Sequence, residues 1–167
     1  FIALGIALVA LLICAWYLRA SIYWDLGKAG VYQPADFAEF TVGDASLPQL
    51  TYVAIGDSLT AGVGVDTYLQ SYPYVLAQKI ADKTRHVHLK PFAVPGVRSA
   101  YVLNHFMEPA IASNPDIVTL FIGVNDIHGN VPVREFQEYY AHILERLTQE
   151  TDAEVYAIAL PYIGTSH

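Results

Sequence analysis

The segment at positions 116–122, which is apolar apart from Asp116 and Thr119 and rich in β-branched side chains, constrains the fold more than any other feature of this sequence. The run has the length of a strand and lacks the polar–apolar alternation of a half-exposed strand. Such a strand is buried on both faces, as in a parallel sheet that is covered by helices. The sequence therefore predicts an α/β fold with this strand at the centre of the sheet.

Short apolar runs and longer amphipathic segments alternate on both sides of this strand. Further strands are predicted over residues 51–55, 88–94 and 154–160. Three helices are predicted from apolar residues at helical spacing, namely Tyr72, Leu76 and Ile80 in the first, Val102, Leu103, Phe106, Met107, Ala110 and Ile111 in the second, and Val133, Phe136, Tyr140, Ile143, Leu144 and Leu147 in the third. Ser71 and Ser99 are the expected N-caps of the first two helices. This order of elements predicts a central parallel sheet between helices.

The N-terminal segment, residues 1–18, carries no charged side chain. At 1.5 Å per residue, a helix of this length spans roughly 27 Å, which is enough to cross a thin hydrocarbon core. We therefore predict a transmembrane helix or signal anchor here, with Trp16 and Tyr17 at one interface. A cleaved signal peptide is the alternative, and the sequence leaves cleavage open. We expect a membrane-anchored protein whose folded domain is extracytoplasmic.

The following residues, 19–49, mix aromatic residues, glycine, proline and acids without a sustained period, so we interpret them as a linker. One folded domain is expected over residues 50–167. A chain of 167 residues has room for one domain with a proper core, but not comfortably for two.

Charge and cysteine content exclude several classes of function. The formal net charge of −7 and the pI near 5.2 disfavour nucleic acid as a partner. The single cysteine, Cys14, lies inside the apolar N-terminal segment, so neither a disulfide framework nor a cysteine-based metal site is predicted. We expect no cofactor and no metal, and the oligomeric state is left open.

Three loops follow the predicted strands, and ligands bind at the carboxyl edge of open α/β sheets. The first loop contains Gly-Asp-Ser-Leu at residues 56–59, which places Ser58 just beyond a strand as a candidate nucleophile. The second contains Gly96, whose backbone N–H can face a ligand, and the third contains Gly-Val-Asn-Asp at residues 123–126. A nucleophile and two hydrogen-bond donors, Gly96 and Asn125, are thus expected at one edge.

These three motifs, in this order, resemble the successive blocks of the GDSL/SGNH hydrolases, a family of serine esterases and lipases. The resemblance covers about residues 51–161, and three ordered blocks are far more specific than one tetrapeptide. It implies a flavodoxin-like three-layer α/β/α sandwich in which Ser58 attacks an ester carbonyl. The oxyanion would be bound by the backbone N–H groups of Ser58 and Gly96 and by the side chain of Asn125. Asp57, Gly123 and Asp126 are interpreted as supporting residues.

The family also uses a histidine as general base, in a late Asp-x-x-His block. No such block occurs in this sequence, and His167 does not fit because the residue three positions before it is Gly164. The resemblance therefore implies that the catalytic histidine and aspartate lie beyond residue 167. It further implies that the domain is incomplete at its C-terminus and that residues 1–167 alone are inactive.

The predicted substrate is a small-molecule or lipid ester, and a lipid, a thioester or an acetylated glycan would each fit. A catalytically inactive domain that binds acyl or sugar groups at the membrane remains the alternative. A nucleotide binder is disfavoured because Thr67 stands where Gly-x-Gly-x-x-Gly needs its last glycine. Two further residues stay ambiguous: Arg98 either contacts substrate or begins a helix, and His128 either lines the pocket or is solvated.

Overall fold

The computed structural model describes residues 39–160 and shows a five-stranded sheet with helices on both faces. The strands are β1 (Phe40–Val42), β2 (Gln49–Gly56), β3 (His86–Ala93), β4 (Ile117–Phe121) and β5 (Glu154–Ala157). The helices are α1 (Tyr72–Ile80), α2 (Ser99–Tyr101, a π-helical segment Val102–Phe106, and Met107–Ala112), α3 (Val124–His128) and α4 (Val133–Glu150), with a 3₁₀ turn at Tyr68–Gln70. The four predicted strands and three predicted helices are all present, whereas β1 and α3 had not been predicted.

The strand order is β1-β3-β2-β4-β5. The pairs β3–β2, β2–β4 and β4–β5 are parallel, but β1 pairs with β3 in antiparallel fashion. The prediction of a purely parallel sheet is therefore corrected to a mixed sheet. Since β1 lies within residues 19–49, part of the stretch interpreted as a linker belongs to the folded sheet. β1 escaped prediction because three residues are too few to show a period.

The middle of the described sheet is β2, not β4 as the sequence had indicated. The two strands could not be distinguished by burial, because each has a neighbour on both sides and helices above and below. From β2 the chain crosses to β3 and then returns past β2 to β4. This reversal creates a topological switch point between the carboxyl ends of β2 and β4, which is where open α/β sheets bind ligands.

Alternate residues of β2 point to opposite faces of the sheet, as the pleat requires. Val53 and Ile55 pack against α2 and α4, in a core completed by residues such as Met107 and Ile143. On the other face lies a second core, with α1 packed against it through Ala77, which is fully buried. The three-layer arrangement of helix, sheet and helix predicted from the sequence is thereby confirmed.

The helix boundaries follow ordinary sequence signals. Pro73 lies in the first turn of α1, where its missing N–H is tolerated. Ser71 is the N-cap residue as predicted, but its hydroxyl makes no capping bond within the described residues. α2 ends before Asn114, which has φ 46° and precedes Pro115, so the helix stops where the sequence predicted.

The predicted transmembrane helix over residues 1–18 lies outside the described residues. Among residues 39–160, no helix combines the length and the apolar character that crossing a bilayer requires.

Candidate active site

Ser58 is half-buried directly after β2, in a turn that backbone hydrogen bonds hold closed. The Ala61 N–H donates to the Asp57 carbonyl and the Val63 N–H to the Ser58 carbonyl, each at 2.9 Å. The Leu59 N–H donates to Asp57 Oδ1 at 3.0 Å. These bonds fix the serine at the carboxyl edge of the sheet, as the sequence predicted.

Gly56 allows this turn to fold back onto the sheet. A Cβ at this position would collide with the side chain of Thr60 and with the carbonyl oxygen of Phe121 on β4. The missing side chain is therefore required by a close approach between the serine loop and the neighbouring strand.

We expect Gly56→Ala to destabilise the protein by about 1–3 kcal/mol, the usual effect of overpacking a well-packed site. Because one of the colliding atoms is the backbone oxygen of Phe121, rotation of a side chain cannot relieve the strain. Urea unfolding followed by circular dichroism measures this difference in unfolding free energy. A variant as stable as the wild type would show that the loop is less tightly seated than described.

A chain of hydroxyl groups lies beneath the serine loop and was not predicted from the sequence. The Thr60 hydroxyl lies 3.1 Å from the Tyr72 hydroxyl, which lies 3.5 Å from Thr119 Oγ1, and the Tyr52 hydroxyl lies 2.8 Å from the same oxygen. Burial raises the pKa of both tyrosines, so they remain neutral hydrogen-bond donors. The sequence did contain a signal for this chain of hydroxyl groups: the strand period of β2 places Tyr52 in the core, and a buried tyrosine hydroxyl needs a hydrogen-bond partner.

The three predicted loops meet at Asn125, near the start of α3. Its Nδ2 donates to Asp57 Oδ2 at 3.3 Å and to the Val97 carbonyl oxygen at 3.0 Å. Both partners are acceptors only, which fixes the nitrogen end of the amide. The structure therefore brings the first loop, the second loop and Asn125 into direct contact.

Gly96 precedes Val97 in the second loop and has φ +83°, a conformation that favours glycine. A Cβ here would meet nothing within 4 Å, so the space around this residue is open. Gly123 begins the third loop with φ +126°, and a Cβ there would lie 3.1 Å from both Leu160 and Phe136. The first glycine thus leaves room for a ligand, whereas the second allows close packing.

Asp57 is 1% exposed, and its carboxylate contacts both Leu59 and Asn125. Burial raises the pKa of this carboxyl, the hydrogen bond from the Leu59 N–H opposes that shift, and the charge of Asp126 adds to it. The carboxylate thus contacts both the serine loop, through the Leu59 N–H, and the amide of Asn125.

Asp126 is 2% exposed and links α3 to the start of α2. It accepts the Ser99 N–H at 3.0 Å on Oδ2 and the Ser99 hydroxyl at 2.5 Å on Oδ1. The prediction of Ser99 as an N-cap was wrong: Arg98 occupies that position and Ser99 is the first helical residue. A carboxylate from a distant loop instead satisfies the N–H at the helix start, where negative charge is favourable.

The two ambiguous residues, Arg98 and His128, are both exposed. The guanidinium of Arg98 packs against the backbone of Gly129, where a Cβ would collide with it. Since the second loop also binds Asn125, this cation lies one residue from the contact that joins the three loops.

Among the described residues, no titratable side chain makes a hydrogen bond with the Ser58 hydroxyl. Residues 39–160 also contain no cluster of His, Cys, Asp or Glu that could bind a metal ion. Within these residues, the candidate site consists of the loops that carry Ser58, Gly96 and Asn125.

The sequence matches the profile of the GDSL-like lipase/acylhydrolase family over residues 54–166, and the chain belongs to this family. A search of curated proteins found no match.

Solved structures give the same fold. TesA is 24% identical with a TM-score of 0.59, and the match covers 67% of this chain and 62% of TesA. The SGNH-hydrolase family esterase AlinE4 is 23% identical with a TM-score of 0.56, over 68% of this chain and 61% of AlinE4. Esterase EstA from Pseudoalteromonas sp. is 20% identical with a TM-score of 0.55, and the match covers 68% of this chain and 62% of EstA. The chain thus spans less than two thirds of each of these proteins.

Proposed function

We propose that this protein is a serine hydrolase that cleaves carboxylic esters through an acyl-serine intermediate. The observation that carries the proposal is the meeting of the three motif loops at Asn125. Membership of the family makes the serine at the first of these loops, Ser58, the expected nucleophile.

In the proposed reaction, Ser58 Oγ forms a bond to the carbonyl carbon while its proton passes to a general base. A serine hydroxyl is a weak nucleophile until a base removes its proton. We place this base, a histidine with its aspartate, beyond residue 167. The tetrahedral intermediate then expels the alcohol, which takes up the proton. Water attacks the acyl-serine in the same way and releases the acid and the free enzyme.

Negative charge develops on the carbonyl oxygen during attack, and fixed N–H donors stabilise it without reorganisation. The backbone N–H groups of Ser58 and Gly96 and the Nδ2 of Asn125 are the proposed donors. One N–H of that amide would keep its bond to the Val97 carbonyl. The other, whose 3.3 Å contact with Asp57 is the longer of the two, would turn to the oxyanion.

The proposed substrate is a lipid ester, a thioester or the acetyl ester of a glycan. We further propose that residues 1–18 anchor the protein in a membrane and that the hydrolase domain is extracytoplasmic, because that segment is apolar and without charge. A substrate of the membrane or cell envelope would be accessible to a domain tethered in this way.

The test of the proposal is labelling and turnover of the full-length protein. We expect hydrolysis of p-nitrophenyl acetate or butyrate, and covalent modification by a fluorophosphonate that mass spectrometry locates at Ser58. Both results follow from an activated serine beside an oxyanion site. Binding of esters without turnover or labelling would instead favour the inactive binding domain.

We also expect residues 41–167, expressed alone, to show no Ser58-dependent turnover. This stretch contains the serine loop and Asn125 but no Asp-x-x-His block. The measurement compares its rate of ester hydrolysis with that of the full-length protein, after circular dichroism has shown that both are folded. Turnover by a folded 41–167 that Ser58→Ala abolishes would contradict a base beyond residue 167.

A further inference from the structure

Arg98 is an exposed cation beside the proposed oxyanion site. It follows Val97, whose carbonyl accepts the amide of Asn125, and it precedes Ser99, which Asp126 holds. Both neighbours of Arg98 are therefore fixed by the α3 segment. The backbone of this arginine cannot move away from the site without breaking one of these contacts.

The side chain of Arg98 is also positioned. A Cβ on Gly129 would collide with Nη2 and Cζ and would lie 2.7 Å from Nε, so the guanidinium lies close against this glycine. The contact holds the charged end of the side chain over the C-terminal end of α3, the helix that carries Asn125.

Among the described residues, no side chain neutralises the positive charge of Arg98. No carboxylate of residues 39–160 forms an ion pair with it. The two nearby acids have other partners, since Asp57 contacts Leu59 and Asn125, and Asp126 binds Ser99.

Capping of α3 does not explain the arginine either. The Gly129 N–H already donates to the Asn125 carbonyl at 2.9 Å, and the Asn130 N–H donates to the Ile127 carbonyl at 3.0 Å. These bonds satisfy carbonyl groups at the helix end that a basic side chain would otherwise bind. Among the described residues, the guanidinium makes neither a capping hydrogen bond nor an ion pair.

From these contacts we infer that Arg98 binds an oxyanion group of the substrate, so that the preferred esters carry a carboxylate or a phosphate near the scissile bond. The inference rests on the proposed ester hydrolysis, which it narrows to anionic esters. Guanidinium donors suit both groups, because their fork geometry matches two oxygens of a carboxylate or phosphate. In a protein of net charge −7, a local unpaired cation would also offset repulsion of such a substrate.

The experiment compares pairs of esters of similar size with the full-length protein. One pair is a p-nitrophenyl ester with a terminal carboxylate on its acyl chain and its neutral methyl-ended counterpart. A second pair has a phosphate or a neutral group on the alcohol side. The quantity measured is the ratio of kcat/KM for the anionic ester to that for the neutral ester. The pair that responds to Arg98 shows which side of the scissile bond the cation serves.

Arg98→Gln is expected to lower this ratio about tenfold for one of the two pairs, as loss of a hydrogen bond between charged groups typically does. Arg98→Lys should retain part of the preference because it keeps the charge. Gly129 has φ −85°, so alanine is tolerated at this position. Gly129→Ala should lower the ratio without changing any charge, because the new methyl group displaces the guanidinium.

Arg85→Gln is the matched control. Arg85 is also exposed, but it lines a cavity with Pro48 and Asp116 near the amino ends of β2 and β4, the opposite edge of the sheet. The control removes the same charge and should leave the ratio unchanged. An equal loss in both arginine variants, or an unchanged ratio for both pairs in Arg98→Gln, would overturn the inference.

A binding measurement separates this inference from the proposed function. Calorimetric titration of the full-length Ser58→Ala protein, with and without Arg98→Gln, compares affinity for the anionic and the neutral esters without requiring turnover. If the wild type hydrolyses no ester, the proposed function fails, but an Arg98-dependent preference in binding still supports the cation site. If the wild type hydrolyses both neutral and anionic esters but neither measurement depends on Arg98, the proposed function is supported and the inference about Arg98 fails.

Discussion

Ser58→Ala is expected to reduce ester hydrolysis by the full-length protein by roughly 10⁴-fold or more, the scale on which loss of the nucleophile acts in serine hydrolases. The substitution removes only the hydroxyl, and the backbone bonds that hold the loop remain, including the 2.9 Å bond to the Ser58 carbonyl. Initial rates with p-nitrophenyl butyrate measure the effect. The unfolding temperature should stay close to that of the wild type.

The matched control is Ser113→Ala. Ser113 follows α2, and its hydroxyl donates to the Pro109 carbonyl at 2.8 Å, away from the three motif loops. It should retain wild-type kinetics. Undiminished turnover in purified Ser58→Ala protein would remove the serine from the mechanism.

Asn125→Ala is expected to lower kcat by about 10²- to 10³-fold with little change in KM, because the amide would bind the oxyanion more strongly than the ground-state carbonyl. Asn125 also holds the Val97 carbonyl, so some loss of stability should accompany the kinetic effect. Unfolding must therefore be measured alongside the rates, at a temperature where the variant is fully folded.

Asn104→Ala serves as the control for Asn125→Ala, since Asn104 is exposed in the π-helical segment of α2. It should leave both kcat and KM unchanged. An effect of Asn125→Ala that is confined to KM would contradict the oxyanion role and indicate that the amide contributes uniform binding.

The three motif loops also show how the site is supported, which the kinetic tests alone would not reveal. Asp57 and Asp126 are both almost fully buried, yet each makes its contacts with backbone N–H groups or polar side chains. Neither is bonded to a histidine among the described residues. Their supporting roles in the site therefore stay predictions.

The sequence by itself determined four of the five strands of the described sheet, the longer helices and the place of Ser58 at the end of β2. Local patterns in the sequence predict these features: the largely apolar run at 116–122 has the length of a strand, and the apolar residues along α2 recur at helical spacing. The family could likewise be recognised, because its three motifs are short and contiguous, and the profile match over residues 54–166 confirms it.

Only the tertiary structure decided how these pieces contact one another. Asn125 bonds Asp57 across 68 residues, Asp126 bonds Ser99 across 27, and Tyr52 bonds Thr119 across 67. No local period encodes such pairs, because they depend on strand order and register, which place the carboxyl ends of β2 and β4 side by side. The antiparallel β1, the cap of α2 and the position of Arg98 over Gly129 were undetermined by the sequence for the same reason.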